Sequence, residues 1–293
     1  MKTWGFAEGN EIAAGRQAVR LLGGGHRYEA WLAWDERLRA LVVAKLLRPD
    51  QADDPNARGV LAAEARMLGR LAHPMLVRSF GADPAGERPH LVLELVDGPR
   101  LSTLIRRYGL ILEQVLPLAL NLCSVLHYLA EEGVVHLDVK PRNIIMAGSP
   151  RLIDLSVARE IDELRALRSR VGTDVYMAPE QCDPERFGEI GPASDVWGLG
   201  VTVHEAFTGE LPYPRPSPEL PHPQLTCEPR AADGVPPALA GPLLSCLEPQ
   251  PADRPTAAAL GDALEPFVAA LPPPRIGRFR PGGRQLLERL DAS

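Results

Sequence analysis

Cysteine is scarce and scattered in this chain. There are four, Cys123, Cys182, Cys227 and Cys246; no two stand in a C-x-x-C spacing, and no histidine lies close enough to complete a zinc pattern. That excludes a zinc framework and fits unpaired thiols in a reducing compartment. Met1 to Asn10 also holds no apolar core of the length a signal peptide needs. The most apolar stretch, Val115 to Ala130, is interrupted by Asn121, Ser124 and His127, so no run approaches the ~20 apolar residues of a membrane span. Excess positive charge is also absent. The formal net charge is −6, which argues against wrapping nucleic acid or coating anionic lipid. The expectation is a soluble, cytoplasmic protein.

What is present is a chain of 293 residues, 45% hydrophobic, enough for a full core in one large or two-lobed domain. The first 17 residues show no strong periodicity and read as a lead-in. From 18 to 46 the pattern is β: Glu29-Ala-Trp-Leu-Ala-Trp34, a polar turn at 35–37, then Leu41-Val-Val-Ala-Lys-Leu46, which predicts a hairpin. Residues 58–72 predict a helix with Leu61, Leu68 and Leu71 on one face. Glu64 shares that face, and a buried carboxylate is costly unless paired, so the helix requires a cation from elsewhere; the bland alternative is a Glu at the stripe's edge reaching solvent. His90 to Leu95 is another strand, and the run before His136 and Leu152-Ile153 are short ones. Helices are predicted over Leu101–Tyr108, Leu112–Glu132, Ser194–Thr208, Ala238–Leu247 and Ala257–Leu271. Prolines at 212, 214, 216, 218, 221 and 223 exclude regular structure there. A β-rich part thus precedes a larger helical part, with the break near 94–98 and a basic tail at the end.

The strongest chemical signal is His136-Leu-Asp-Val-Lys-Pro-Arg-Asn143. It puts a carboxylate (Asp138), an amine (Lys140) and a carboxamide (Asn143) on one short loop. Phosphoryl transfer needs such a set: a carboxylate to orient the attacking hydroxyl and take its proton, a cation to steady the moving group, and an oxygen ligand for magnesium.

This segment resembles the catalytic loop, H-R-D-x-K-x-x-N, of eukaryotic-like (bacterial) serine/threonine protein kinases. The resemblance runs from about Leu22 to Pro255 with its landmarks in order. It implies an α+β, two-lobed fold: lead-in 1–17, small β-rich lobe with one helix 18–96, larger helical lobe 97–271, and Pro/Arg-rich tail 272–293. It implies ATP with Mg²⁺, or alternatively Mn²⁺, and a protein substrate. Asp154-Leu-Ser stands for D-F-G, so Asp154 joins Asn143 as a metal ligand. Val42-Val-Ala-Lys45 resembles V-A-I-K, so Lys45 contacts the phosphates and pairs with Glu64, supplying the cation that the helix requires. Gly23 and Gly25 match the phosphate loop. By position Leu93 is the gatekeeper, Glu94 and Val96 offer backbone hydrogen bonds to adenine, and Ala30, Val43 and Ile145 sandwich the ring. The family has Val and Ala where this chain has Ala30 and Val43, a volume-conserving exchange that keeps the slot filled. Gly172-Thr-Asp-Val-Tyr-Met-Ala-Pro-Glu180 resembles the end of the activation segment. It implies that Thr173 touches Asp138 and Lys140, that Glu180 pairs with Arg254, and that Asp195 braces the catalytic loop.

The pattern departs at Tyr28 (third glycine), Leu137 (the Arg of H-R-D), Leu155 (Phe of D-F-G) and Ser156 (its Gly). Leucine at 137 cannot pair with a phosphorylated activation loop, so activity should not depend on such a pair. The candidate hydroxyls in that segment are Ser156 and Ser169. Leu155 remains able to pack against Leu68. These departures feed the alternative, a pseudokinase scaffold without turnover; a small-molecule kinase is the third reading, opposed by the Gly172–Glu180 segment. The proline stretch 211–223 and the basic tail are candidate docking elements, against the plainer readings of a rigid surface loop and a solvated tail.

Overall fold

A computed structural model describes residues 2–165, 170–231 and 235–272. Ser169 and the tail from 273 onward lie outside them. The first part of the chain is one antiparallel sheet in the order β1-β2-β3-β4-β6-β5. Its strands are β1 (Glu11–Ala13), β2 (Arg16–Gly24), β3 (Tyr28–Asp35), β4 (Ala40–Leu47), β5 (Ser79–Asp83) and β6 (His90–Glu94). Alternation builds it. On β3, Trp31 and Ala33 point to one face, where they are buried with Val42 and Ala44; Ala30 and Leu32 point to the other with their partners Lys45 and Val43. The polar turn closes on a buried Asp35, which accepts from the Leu38 N–H and from Arg16 Nε, both at 2.8 Å.

The lead-in is part of this sheet. β1 pairs with β2, Trp4 Nε1 donates to the Leu47 carbonyl at 2.8 Å, and Phe6 meets Trp31 edge-on at 5.4 Å. Strands β1 and β5 leave no readable alternation, because β1 has only three residues and β5 is mostly exposed.

Helix α1 (Pro55–Arg70) crosses between β4 and β5. It starts three residues before the predicted helix, because Asp54 caps the Asn56 N–H and Pro55 suits the first turn. Leu61, Glu64 and Leu68 are buried, as their common face requires.

The rest is mainly helical. α2 (Leu101–Tyr108) and α3 (Leu112–Glu131) lead to β7 (Val134–Val135), a 3-10 turn at Pro141–Asn143, and a hairpin of β8 (Ile144–Met146) with β9 (Pro150–Leu152). β10 (Arg159–Glu160) pairs with β7. Short α4 (Ile161–Leu164), α5 (Pro179–Cys182) and α6 (Pro184–Phe187) precede α7 (Pro192–Thr208), α8 (Pro237–Ser245) and α9 (Ala257–Ala269). This is the two-lobed α+β arrangement expected.

α3 corrects one expectation. By length and composition it is apolar enough to cross a membrane, the only described helix that is. The three polar interruptions do not lower its overall hydropathy enough to exclude a span. In this fold α3 packs on α7 and α9, with Val115, Leu118, Leu122, Val125 and Leu129 fully buried. One core cluster runs through both parts and holds Leu68 and Leu155 together. The proline stretch is irregular but anchored: Tyr213 is buried and stacks on Trp197 at 5.6 Å.

Candidate active site

Two polar groupings make up the site. The first begins with Lys45, which alternation turns to the cleft face of β4, and Glu64, which the helical repeat turns inward from α1. Lys45 Nζ donates to both Glu64 oxygens (2.9 and 2.8 Å) and to Asp154 Oδ1 (2.7 Å). Glu64 is fully buried, so the unpaired-edge reading is excluded. Burial alone would favour a neutral Lys45. The Glu64 and Asp154 carboxylates overcome this and hold its pKa above the ordinary value. Burial likewise would raise Asp154, yet the Lys45 ammonium keeps its carboxyl well below the usual carboxylate range. Asp154 sits at φ +70°, a left-handed backbone that Asp tolerates better than most residues.

The second grouping converges on Asp138. Its Oδ1 accepts from Thr173 Oγ1 (2.7 Å), and its Oδ2 accepts from Lys140 Nζ (2.6 Å) and Asn143 Nδ2 (2.9 Å). Lys140 Nζ also donates to Thr173 Oγ1 at 2.5 Å. The 3-10 turn brings Asn143 back under Asp138, whose carbonyl takes a second bond from the same amide nitrogen at 3.0 Å. The loop is braced from α7: the two oxygens of buried Asp195 accept the His136 and Leu137 N–H groups at 2.7 Å each. Burial pushes the Asp195 carboxyl up to about 6, against those two bonds, which favour the anion.

The activation-segment end is tied down as its resemblance implied. Glu180 and Arg254, both fully buried side chains, form a bidentate pair at 2.7 and 2.8 Å. Gln181, which sequence reasoning did not single out, donates to the Leu137 and Val171 carbonyls; it links the segment to the catalytic loop, and an amide two residues after A-P is the only local hint of it.

Toward the hinge, Leu93 is buried opposite Val43. Ala30, Val43 and Ile145 are half-buried. Among the described residues, none hydrogen-bonds the Val96 N–H or C=O, which leaves both for a ligand, whereas the Glu94 N–H is taken by the Arg78 carbonyl at 2.9 Å. Glu94 therefore has only its carbonyl to offer. In the glycine loop, Gly23 adopts φ +139°, which demands glycine. The close approach falls at Gly24, where a Cβ would collide with the Tyr28 carbonyl oxygen, and not at Gly25, where nothing lies within 4 Å. Arg48 pins the loop, donating from Nε to the Gly25 carbonyl (2.7 Å) and from Nη1 to Glu29 (3.0 Å).

Oxygen donors suited to a hard cation are the side-chain Oδ1 of Asn143, whose Nδ2 is spent on Asp138, and the anionic Asp154. Among the described residues no cage of three or more His, Cys, Asp or Glu exists. Two oxygens suit a magnesium that takes its other ligands from phosphate and water. A cavity of about 220 Å³ is lined by Glu94 and Val96 but reaches none of the charged groups of the two groupings, and one of about 370 Å³ near Tyr213 and Leu247 contains no site residue. Chemistry, rather than cavity size, marks the site.

Residues 16–263 match the family described as the protein kinase domain. The chain is 32% identical over 209 residues to serine/threonine-protein kinase PknB of Mycobacterium tuberculosis, covering 68% of this chain and 33% of that protein. To PknB of Mycolicibacterium smegmatis it is also 32% identical over 209 residues, with the same coverage. To serine/threonine-protein kinase PknA of Mycobacterium tuberculosis it is 33% identical over 204 residues, covering 66% of this chain and 47% of that one. The chain thus spans about a third to a half of the length of these relatives.

Proposed function

This chain belongs to the protein kinase family, and we propose on that footing that it transfers the γ-phosphoryl group of ATP to serine or threonine hydroxyls of proteins, itself among them. The observation that carries the reading is the convergence of Lys140, Thr173 and Asn143 on Asp138, together with an assembled Lys45–Glu64–Asp154 set.

Asp138 would receive the acceptor hydroxyl and take its proton, held in orientation by its three donors. Lys140, 2.6 Å from Asp138, would balance charge at the transferring group. Thr173 closes the far side of the carboxylate and with Lys140 favours an aliphatic hydroxyl. Lys45 would hold the α- and β-phosphates, and the Val96 backbone and Glu94 carbonyl the adenine, between Ala30, Val43 and Ile145. Gly23 would let the loop backbone approach phosphate. Asn143 and Asp154 would hold Mg²⁺, with Mn²⁺ the alternative. When bound, that ion neutralises charge building on the phosphate oxygens. A scaffold without turnover would not require these groups to be assembled. The free thiols support the cytoplasm as the place of action.

The test is transfer of labelled γ-phosphate from ATP with Mg²⁺ or Mn²⁺ to the chain itself and to a generic basic protein. Asp138→Asn should lower the rate by about 10²–10⁴-fold. Absence of label from wild type and variant alike, with nucleotide still bound, would replace this reading by the scaffold.

A further inference from the structure

Tyr28, where the glycine loop departs from its pattern, turns its side chain into the cleft. Its ring lies 4.5 Å from Lys45 Nζ. Its edge packs on the core cluster that contains Leu61 and Leu68. Its hydroxyl is buried and has no hydrogen-bond partner. Burial and the nearby Glu64 and Asp154 carboxylates keep that hydroxyl un-ionised, raising its pKa despite Lys45.

The loop that leads into Tyr28 is tied at its base. The Gly25 N–H donates to the Tyr28 carbonyl at 3.0 Å, and Arg48 holds the Arg27 and Gly25 carbonyls at 2.9 and 2.7 Å. The Lys45 ammonium is then fully engaged: three hydrogen bonds go to Glu64 and Asp154, and an aromatic face covers another side. A phosphate oxygen cannot share that side with the electron-rich ring face.

We infer that Tyr28 is a displaceable lid on the phosphate end of the nucleotide cleft, competing with the phosphates for Lys45 and swinging out as nucleotide enters. This rests on the reading of Lys45 as the phosphate-holding cation. Two opposed effects poise the lid. The cation–π contact and ring burial hold it closed, and the unpartnered hydroxyl favours release to water. A lid of this kind lowers apparent nucleotide affinity by the fraction of molecules that are open.

The test uses the full chain and the non-hydrolysable analogue AMP-PNP with Mg²⁺, titrated by calorimetry. Tyr28→Ala, which removes the lid, should tighten binding by about tenfold. Tyr28→Phe, which removes only the unpartnered hydroxyl, should weaken it by about threefold. In wild type, nitration of Tyr28 by tetranitromethane, followed by peptide mass spectrometry, should speed up when the analogue is present. Tyr28→Gly repeats the first arm if the alanine variant fails to fold. Binding by Tyr28→Ala equal to or weaker than wild type, or protection of Tyr28 by the analogue, would overturn the lid while leaving the nucleotide reading intact. Folded variants and wild type that all fail to bind the analogue would overturn both.

Discussion

At position 137 the chain exchanges a charge for packing. Leu137 is buried with Val135 and Leu164, and Val171 and Ile190 pack around them. It adopts φ +64°, a conformation that costs a non-glycine residue about 1–2 kcal/mol. The cost is offset by three hydrogen bonds: the His136 and Leu137 N–H groups donate to Asp195, and Gln181 donates to the Leu137 carbonyl. Apolar contact with Leu164 and Val171 thus holds the activation segment where the family pattern uses a phosphate–Arg pair. Phosphatase-treated and untreated protein should therefore give equal label in the transfer assay; label that appears only once Ser169 is phosphorylated would contradict this. At the adenine slot, Val43→Ala should weaken nucleotide about three- to tenfold through lost packing, and an unchanged affinity by calorimetry would remove the volume exchange with Ala30. Asp154 has a pKa lowered in the folded state, so its contribution to stability is present above the ordinary carboxylate value of about 4 and is lost as pH falls through the lower folded value. Asp154→Asn, tolerant of the same φ, should show a shallower loss of melting temperature below about pH 4 than wild type. Equal slopes would mean that Asp154 is not held by Lys45 in solution.

Between elements, two fastenings hold the frame that positions the site. Glu180 of α5 and Arg254 are paired with no exposure. Arg254 also lies 4.9 Å from the Trp197 ring centre and bonds the Ala193, Glu248 and Pro249 carbonyls. Glu180→Gln leaves a buried guanidinium without its charge partner and should cost about 3–5 kcal/mol in urea unfolding. A loss under about 1 kcal/mol would show that water reaches the pair. The second fastening is the N-terminal segment, whose Trp4 and Phe6 cover the sheet face opposite the cleft. The Trp4 N–H also donates to Glu29, which Arg48 and Trp31 Nε1 bond in turn. That chain of contacts ends on the glycine loop. Periodicity could not reveal it, because an indole set against a sheet from an irregular segment has no repeat to read.

For the molecule as a whole, three of the four thiols report global opening. Burial pushes the Cys123 and Cys182 thiols up to about 12 and raises Cys246 further. Cys227 is half-exposed. Iodoacetamide at neutral pH should modify Cys227 first, and the other three only at the rate of unfolding. Rapid labelling of Cys123 in native conditions would show that α3, despite its core position, opens locally.

Much of this was written in the chain itself. The order of β-rich and helical parts, the helix carrying Glu64, and the set Lys45, Asp138, Lys140, Asn143, Asp154 and Thr173 were legible, because each sits in a short motif or an amphipathic repeat whose chemistry is local. Tertiary structure alone decided where Tyr28 points, that Arg48 and the first residues hold the glycine loop, that Gly24 and not Gly25 needs to lack a Cβ, and that α3 spends its apolar surface on α7 and α9. Those facts depend on contacts between residues distant in sequence. A side chain's neighbours across a fold, unlike its period along a strand or helix, leave no regular trace in the order of amino acids.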